Sequence, residues 1–406
     1  MKKILLFVLM FITVQLNAQD KPMEIIQKNI SEIKEKYAPD KRVAIFQIDL
    51  VEENNTFKLV GETTELNAKN ELLKTLELAN INFLDEIKLL PENELGNKRL
   101  GLIDVSVANL RGEPKHPAEM VTQALLGTPV RVLKEDDGFY LIQTPDKYIA
   151  WVDEDAIKTI SKDEYDKWYS SDKVIFIKEF GFSFIEADKQ SERISDLVIG
   201  NILVKIGEQE GFTKVKYPDG REAFVETSEL KDFNEWLSYA YPTRKNIIKT
   251  AKLFIGNPYM WGGTSAKGLD CSGFTKTVYF LNGVLLDRDA SQQVKKGIEV
   301  DTENNFDNVQ KGDLLFFGVK SKDGLRKRIT HVGIYIDNLE FIHEAGKVKY
   351  NSFDKNAQNF SKYRLKNFAG SRNIIDSIGK NGIELIKDNK FYNGELKWNR
   401  IEETLL

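Results

Sequence analysis

The chain has 406 residues and a formal charge of −4, with 41% hydrophobic and 30% charged residues. That length suggests two to four domains, and the composition is that of a folded globular chain rather than a disordered one. The charge is too small to point to nucleic acid as a partner, and a single cysteine leaves no internal disulfide.

At the N-terminus Lys2 and Lys3 precede an apolar run from Ile4 to Val14, too short to span a bilayer, and Leu16-Asn17-Ala18 follows. Residues 1–18 are therefore expected to be a signal peptide cut near Ala18, with export to the periplasm. No cysteine near this cut is available for a lipid anchor. The alternative reading is a buried first helix.

Residues 19–97 are expected to form a small mixed α/β unit. Met23, Ile26, Ile30, Ile33 and Tyr37 recur at helical spacing, and Pro39 ends the pattern. Val43 to Leu50 alternates like a strand, Asn54-Asn55 is a turn, and Thr56 to Gly61 fits its partner strand. Leu66 to Ala79 is leucine-rich and helical. Asn80 to Asn97 has no clear period.

An internal repeat follows. Leu126-Gly127, Asp137-Gly138-Phe139, Thr144-Pro145-Asp146, Ala150-Trp151-Val152 and Ala156-Ile157 align without gaps to Ile199-Gly200, Glu210-Gly211-Phe212, Tyr217-Pro218-Asp219, Ala223-Phe224-Val225 and Glu229-Leu230. Short strands split by glycine and proline turns predict two small β-barrels, over 98–158 and 172–232. Linkers are expected near Lys158–Asp172 and Lys231–Thr243. His116, between two prolines, reads as a loop residue.

The chemistry concentrates further on. Cys271 lies in Gly268-Leu269-Asp270-Cys271-Ser272-Gly273-Phe274, ahead of an amphipathic segment ending at Phe280. A helix starting there would put the thiol at its N-terminus, where unpaired N–H groups and the helix dipole favour a thiolate. Two of the three histidines follow on a predicted hairpin, His331 on the run to Asp337 and His343 on Phe341 to Gly346. A lone cysteine with distant histidines fits a nucleophile, its base and an orienting group. Two blander readings stand beside this one. A lone cysteine is often a small buried hydrophobe. A cysteine and two histidines also suit zinc, although structural zinc sites use closely spaced pairs and no fourth ligand is evident.

Pro258-Tyr259-Met260-Trp261-Gly262-Gly263, Leu269 to Phe274, Gly312-Asp313-Leu314-Leu315-Phe316-Phe317, His331-Val332-Gly333-Ile334-Tyr335 and His343 together resemble the NlpC-type cysteine peptidases of bacterial cell walls. The resemblance covers about Thr243 to Arg372. It implies an α+β, papain-like catalytic domain over 243–373, preceded by two SH3-like barrels and the N-terminal unit. Residues 374–406 form an extension of unknown role. The implied activity is hydrolysis of murein stem peptides, with no metal or organic cofactor and a monomeric chain.

Val107 to Arg111, Pro114 to Gln123 and Lys147 to Trp151 further resemble the first SH3-like domain of the γ-D-glutamyl-L-diamino acid endopeptidases. In that subgroup the domain closes the cleft, and a Glu and a Tyr bind the free amino end of the peptide. By motif position these are Glu119 and Tyr148. The resemblance implies Cys271 as nucleophile, His331 as base and His343 as its orienter, with Tyr259 helping the Cys271 amide to hold the oxyanion. Asp270 and Glu119 would pair with the free amine, and Tyr148 and Ser272 would hydrogen-bond near it. Arg288 and Ser291, in the segment containing Asp289, would meet substrate carboxylates or backbone. Asp270 and Asp289 also fit plain helix caps, Glu119 a solvated charge, Tyr148 a half-buried strand residue, and Trp261 either a cleft wall or core. Lys320, Lys322, Arg326, Lys327 and Arg328 read as a solvated basic hairpin. Two alternatives stay open: a wall-binding protein with a dead peptidase domain, and an amidase or acyltransferase on the same core. Retention of Cys271, His331 and His343 together argues against the first.

Overall fold

The structure, a computed structural model, describes residues 20–303, 305–320 and 327–396. The expected signal peptide, and Lys322 and Arg326 of the basic hairpin, lie outside the described residues. The chain divides into two units, meeting between Leu90 and Pro91.

The first unit contains α1 (Asp20–Tyr37), β1 (Phe46–Glu53), β2 (Thr56–Thr63), α2 (Leu66–Leu78) and β3 (Phe83–Leu89). Its apolar helix positions pack as their spacing predicts. Ile26 and Ile33 of α1 and Leu72 and Leu76 of α2 are buried in one cluster with Phe46, Ile48 and Leu59. Asn54 and Asn55 both adopt positive φ, which suits the tight turn between β1 and β2. The segment without a clear period supplies β3, parallel to β2, with α2 as the crossover.

The second unit opens with seven strands: β4 (Leu100–Ile103), β5 (Val107–Arg111), β6 (Met120–Leu125), β7 (Pro129–Asp136), β8 (Phe139–Gln143), β9 (Ile149–Asp153) and β10 (Ile157–Ile160). They recur at a constant shift in numbering as β11 (Lys173–Phe176), β12 (Phe180–Phe184), β13 (Arg193–Val198), β14 (Ile202–Gln209), β15 (Phe212–Lys216), β16 (Glu222–Glu226) and β17 (Leu230–Asp232). The first sheet has the order β10-β4-β7-β8-β9-β5-β6. The second, read from its other end, repeats it as β17-β11-β14-β15-β16-β12-β13. Even the bulge recurs, at Val132/Lys134 in β7 and at Lys205/Gly207 in β14. The repeat thus begins well before Leu126, in strands whose sequences share little.

The segments expected as linkers are folded. After β10 comes α3 (Lys162–Ser170), closed at its start by a Ser161–Glu164 capping box, and after β17 comes α4 (Phe233–Tyr239). Tyr165, Trp168 and Phe233 bury their rings with Leu100, Ile175 and Ile202 from the two repeats. The C-terminal extension completes this cluster through Phe391, Tyr392 and Leu396.

The catalytic region begins with α5 (Arg244–Leu253), then the two-residue strands β18 (Thr264–Ser265) and β19 (Gly268–Leu269), α6 (Cys271–Phe280), β20 (Val284–Leu285) and α7 (Ala290–Gln293). The main sheet follows: β21 (Ile298–Val300), β22 (Leu314–Lys320), β23 (Lys327–Asp337), β24 (Glu340–Glu344), β25 (Val348–Ser352) and, after α8 (Lys362–Lys366), β26 (Phe368–Asn373). It is antiparallel, in the order β21-β26-β22-β23-β24-β25. One face packs on α5 and α6 through Val332, Ile334, Ile342 and Val348 against Phe274 and Val278. The other buries Phe317, Tyr335, Phe341 and Phe353. In the extension, β27 (Glu384–Leu385) pairs with β20. No described helix is long and apolar enough to cross a membrane.

Candidate active site

Cys271 is the first residue of α6, and Asp270 is its N-cap, accepting a hydrogen bond from the Gly273 N–H at 2.7 Å. The two glycines before Thr264 and the one after Ser272 let this helix start pack tightly. A Cβ on Gly273 would lie 1.9 Å from the Gly263 carbonyl oxygen. Gly262 has φ +78, and a Cβ there would lie 2.3 Å from the Met120 carbonyl oxygen of β6. The first repeat is held against the same loop by Gln123. Its side-chain oxygen accepts from the Thr264 N–H at 3.0 Å and the Ser265 hydroxyl at 2.9 Å, and its backbone carbonyl accepts from the Thr264 hydroxyl.

The thiol is half-buried and free. Burial and the Asp270 carboxylate push it up to about 11, against the Val332 and Ser272 N–H groups and the Arg288 charge, which favour the thiolate. Burial is the larger cause, and the acid that caps the helix adds to it, so both oppose what the helix start offers the thiolate. The Val332 N–H that holds the sulfur belongs to the residue next to His331, which places the thiol beside the base.

His331 and His343 are both buried, with rings edge to face, and Nε2 of His331 lies 2.7 Å from Nδ1 of His343. Nε2 of His343 lies 2.8 Å from Oδ1 of Asn351 on β25. The Asn351 amide nitrogen donates to the Asn359 carbonyl at 2.8 Å. A carbonyl can only accept, so this last bond orients the chain of donors. Asn351 presents its oxygen to His343, His343 carries its proton on Nε2, and His331 donates from Nε2 to His343. That leaves the His331 Nδ1 lone pair as the free base. Burial, then the Arg364 charge, holds His331 well below its ordinary value, and burial lowers His343 to about 3.

Asp270 does more than cap. Its two oxygens accept from Arg288 at 3.1 and 2.5 Å, and one also accepts from the Gly262 N–H at 3.1 Å. Arg288 is 1% exposed, and a second bond links it to the Ser272 hydroxyl at 3.1 Å. The expectation that Arg288 meets substrate carboxylates is not met, because its charge is already taken up by Asp270 inside the protein. Asp289 and Ser291 lie on and beside α7, where the Asp289 N–H donates to the Gln292 side chain in a cap. Tyr148 is buried close enough to Arg288 for its phenol to be felt there. Glu119 is exposed and accepts from the Trp261 indole at 2.7 Å. Trp261 itself is 62% exposed, so it is a wall rather than core. Burial and the neighbouring Cys271 push the Tyr259 phenol up to about 12, so it keeps its proton as a donor. His116 is an exposed loop residue, edge-on to Phe139.

Sequence reading missed Asn351, Asn359 and Gln123. Asn351 follows Lys349, the cross-strand partner of His343, by two residues and so shares its face. Only the register of that hairpin could have revealed it. Among the described residues no three His, Cys, Asp or Glu side chains group to hold a metal ion.

Comparison with known proteins gives the same picture. The chain matches the NlpC/P60 family over residues 256–367 and the bacterial dipeptidyl-peptidase Sh3 domain over residues 110–157. It is 30% identical to a gamma-D-glutamyl-L-lysine dipeptidyl-peptidase of Bacillus subtilis over 55% of this chain and 71% of that one. It is 29% identical to dipeptidyl-peptidase 6 of Lysinibacillus sphaericus over 63% of this chain and 92% of that one. An NlpC/P60 family protein of Bacillus cereus has a similar solved structure, with TM-score 0.57 and 25% identity over 68% of this chain and 99% of that one. An NlpC/P60 endopeptidase of Photobacterium damselae shares the fold at 15% identity and TM-score 0.53, over 92% of this chain and 85% of that one. The site and fold are those of a cysteine hydrolase with an SH3-type companion domain. The chain belongs to the NlpC/P60 family.

Proposed function

We propose that this enzyme hydrolyses the γ-D-glutamyl–diamino acid bond of murein stem peptides that carry a free N-terminal L-Ala. Cys271 attacks the γ-carbonyl carbon as its proton passes to Nδ1 of His331. The oxyanion is met by the unpaired N–H at the start of α6 and by the Tyr259 hydroxyl. The proton on His331 then goes to the departing amine, leaving a thioester on Cys271. Water, deprotonated by the same imidazole, hydrolyses that thioester and restores the thiol. His343 and Asn351 hold the imidazole in the tautomer this sequence requires.

The observation that carries the substrate reading is the convergence of two parts of the chain on one cleft. Glu119 of the first repeat is bonded to Trp261, and Tyr148 of the same repeat approaches Arg288, behind the thiol. Relatives named as gamma-D-glutamyl-L-lysine dipeptidyl-peptidases match 55% of this chain. We read the second seven-stranded sheet as a duplicated SH3-like barrel, since its strand order repeats the first. The N-terminal pattern of residues 1–18 supports export to the periplasm. Incubation with L-Ala-γ-D-Glu-L-Lys and its diaminopimelate counterpart should release L-Ala-D-Glu, detected by mass spectrometry, and Cys271→Ala should release none. Persistence of both peptides with folded wild-type protein refutes the reading.

A further inference from the structure

One acid in the catalytic domain is left over when the site's charges are paired. Glu344 follows His343 on β24, so the two side chains face opposite sides of the sheet. His343 faces His331. Glu344 stands opposite Val348, on the face that packs on α6. It is 0% exposed, and neither carboxylate oxygen has a hydrogen-bond partner among the described residues. Asp270 by contrast is covered by Arg288 and two backbone N–H groups.

Its charge is felt by Tyr259 of the Pro258–Met260 segment, and it feels Asp270 at the N-cap of α6 and, from the opposite face of the sheet, Lys349, the partner of His343 on β25. Asp270 and Tyr259 also act on the Cys271 thiol or are acted on by it. The carboxylate therefore lies at the helix-start end of the sheet, where the Tyr259 N–H binds the Gly346 carbonyl and seats the Pro258–Met260 segment beside the end of β24.

We propose that Glu344 is a substrate-binding residue whose carboxylate receives an ammonium group of the stem peptide. A buried carboxylate with no partner is costly, and a proton or a cation relieves it. In the free enzyme the proton does so: burial pushes Glu344 up to about 7, with Lys349 opposing and Asp270 adding to the shift. A bound ammonium takes the proton's place, so binding releases a proton. Two amines of the peptide have this chemistry, the α-amine of L-Ala and the side-chain amine of the diamino acid. This inference rests on the stem-peptide reading above.

The test is calorimetric binding of L-Ala-γ-D-Glu-L-Lys to the full-length Cys271→Ala protein in buffers of different ionisation enthalpy. At pH 6.5 binding should release on the order of half a proton or more. The release should fade as pH rises through the Glu344 value, and Cys271→Ala/Glu344→Gln should lose it. In the otherwise wild-type enzyme Glu344→Gln should raise KM about tenfold or more, with a smaller change in kcat. Loss of release on acetylating only the α-amine, or only the lysine side chain, identifies the group received. Binding without proton release at pH 6.5, or equal release from Glu344→Gln, overturns the proposal. The pH series on Cys271→Ala decides the matter even if the double variant does not fold. Cleavage of the tripeptide by wild type is measured separately, so failure of the stem-peptide reading stays distinguishable.

Discussion

The upward shift of Cys271 and the downward shift of His331 have consequences at the scale of single residues. With Cys271 pushed up to about 11, its alkylation by iodoacetamide should accelerate with pH without levelling off near neutrality. An alkylation rate that reaches its plateau below pH 8 would show a thiolate–imidazolium pair instead. The hydrolytic rate should behave differently, since His331 is already unprotonated well below its ordinary value and supplies the base at neutral pH. His331→Ala should cost about as much as Cys271→Ala, because nucleophile and base act as one unit. Asn351 acts only through the tautomer of His343. Asn351→Ala should lower kcat by about one to two orders of magnitude, less than the 10² to 10⁴ that general-base catalysis is worth, with KM little changed. Asn351→Asp still presents an acceptor to His343 Nε2 and should recover most of the loss. Equal kcat in Asn351→Ala and wild type would mean that the amide does not set the tautomer.

At the scale of elements, the loop from Pro258 to Asp270 joins the first repeat to the nucleophile. Gly262 allows that joint by its positive φ and its closeness to the Met120 carbonyl. Gly262→Ala should push the loop away from β6, break the Glu119–Trp261 bond and raise KM, while the sheet that carries His331 and His343 stays folded. Unaltered kinetics in this variant would separate the first repeat from substrate binding. How much was legible in sequence follows the range of the interactions. α6, its cap and the hairpin bearing the two histidines were readable because local periodicity and turn residues decide them. The turn between those two strands has positive φ at Asn338 and Leu339. Asn351 and Gln123 were not readable, because the first depends on strand register and the second on partners more than a hundred residues away, while the burial of Arg288 depends on how the chain folds back on Asp270. What opposes the thiolate was not readable for a related reason. The helix start is a local signal, whereas the depth at which it is buried is set by the whole domain. β3 escaped notice because a short strand next to a crossover helix has no distinctive period of its own.

At the scale of the molecule, the C-terminal extension is structural cement for the second unit. Phe391, Tyr392 and Leu396 share a core with Leu100, Trp168, Ile202 and Phe233, and Asn389 donates to the Pro145 carbonyl beside the turn that presents Tyr148. Leu396→Ala should destabilise this unit by about 2–5 kcal/mol, as for other buried leucines, read as a lowered thermal midpoint. An unchanged midpoint would show that the cluster does not hold the repeats together. The same unit holds Glu119 against Trp261 and Tyr148 near Arg288.

The central claim is that this cleft takes peptides already freed from the glycan, because its closed end expects a charged amine. Rates of γ-D-glutamyl bond cleavage, followed by the new α-amine on the diamino acid, should be compared for the free tripeptide, its Nα-acetyl form and intact murein sacculi. Loss of one charge pair in a desolvated site costs several kcal/mol, so the free tripeptide should be cut on the order of a hundredfold faster than either blocked form. Equal rates on all three would contradict the account.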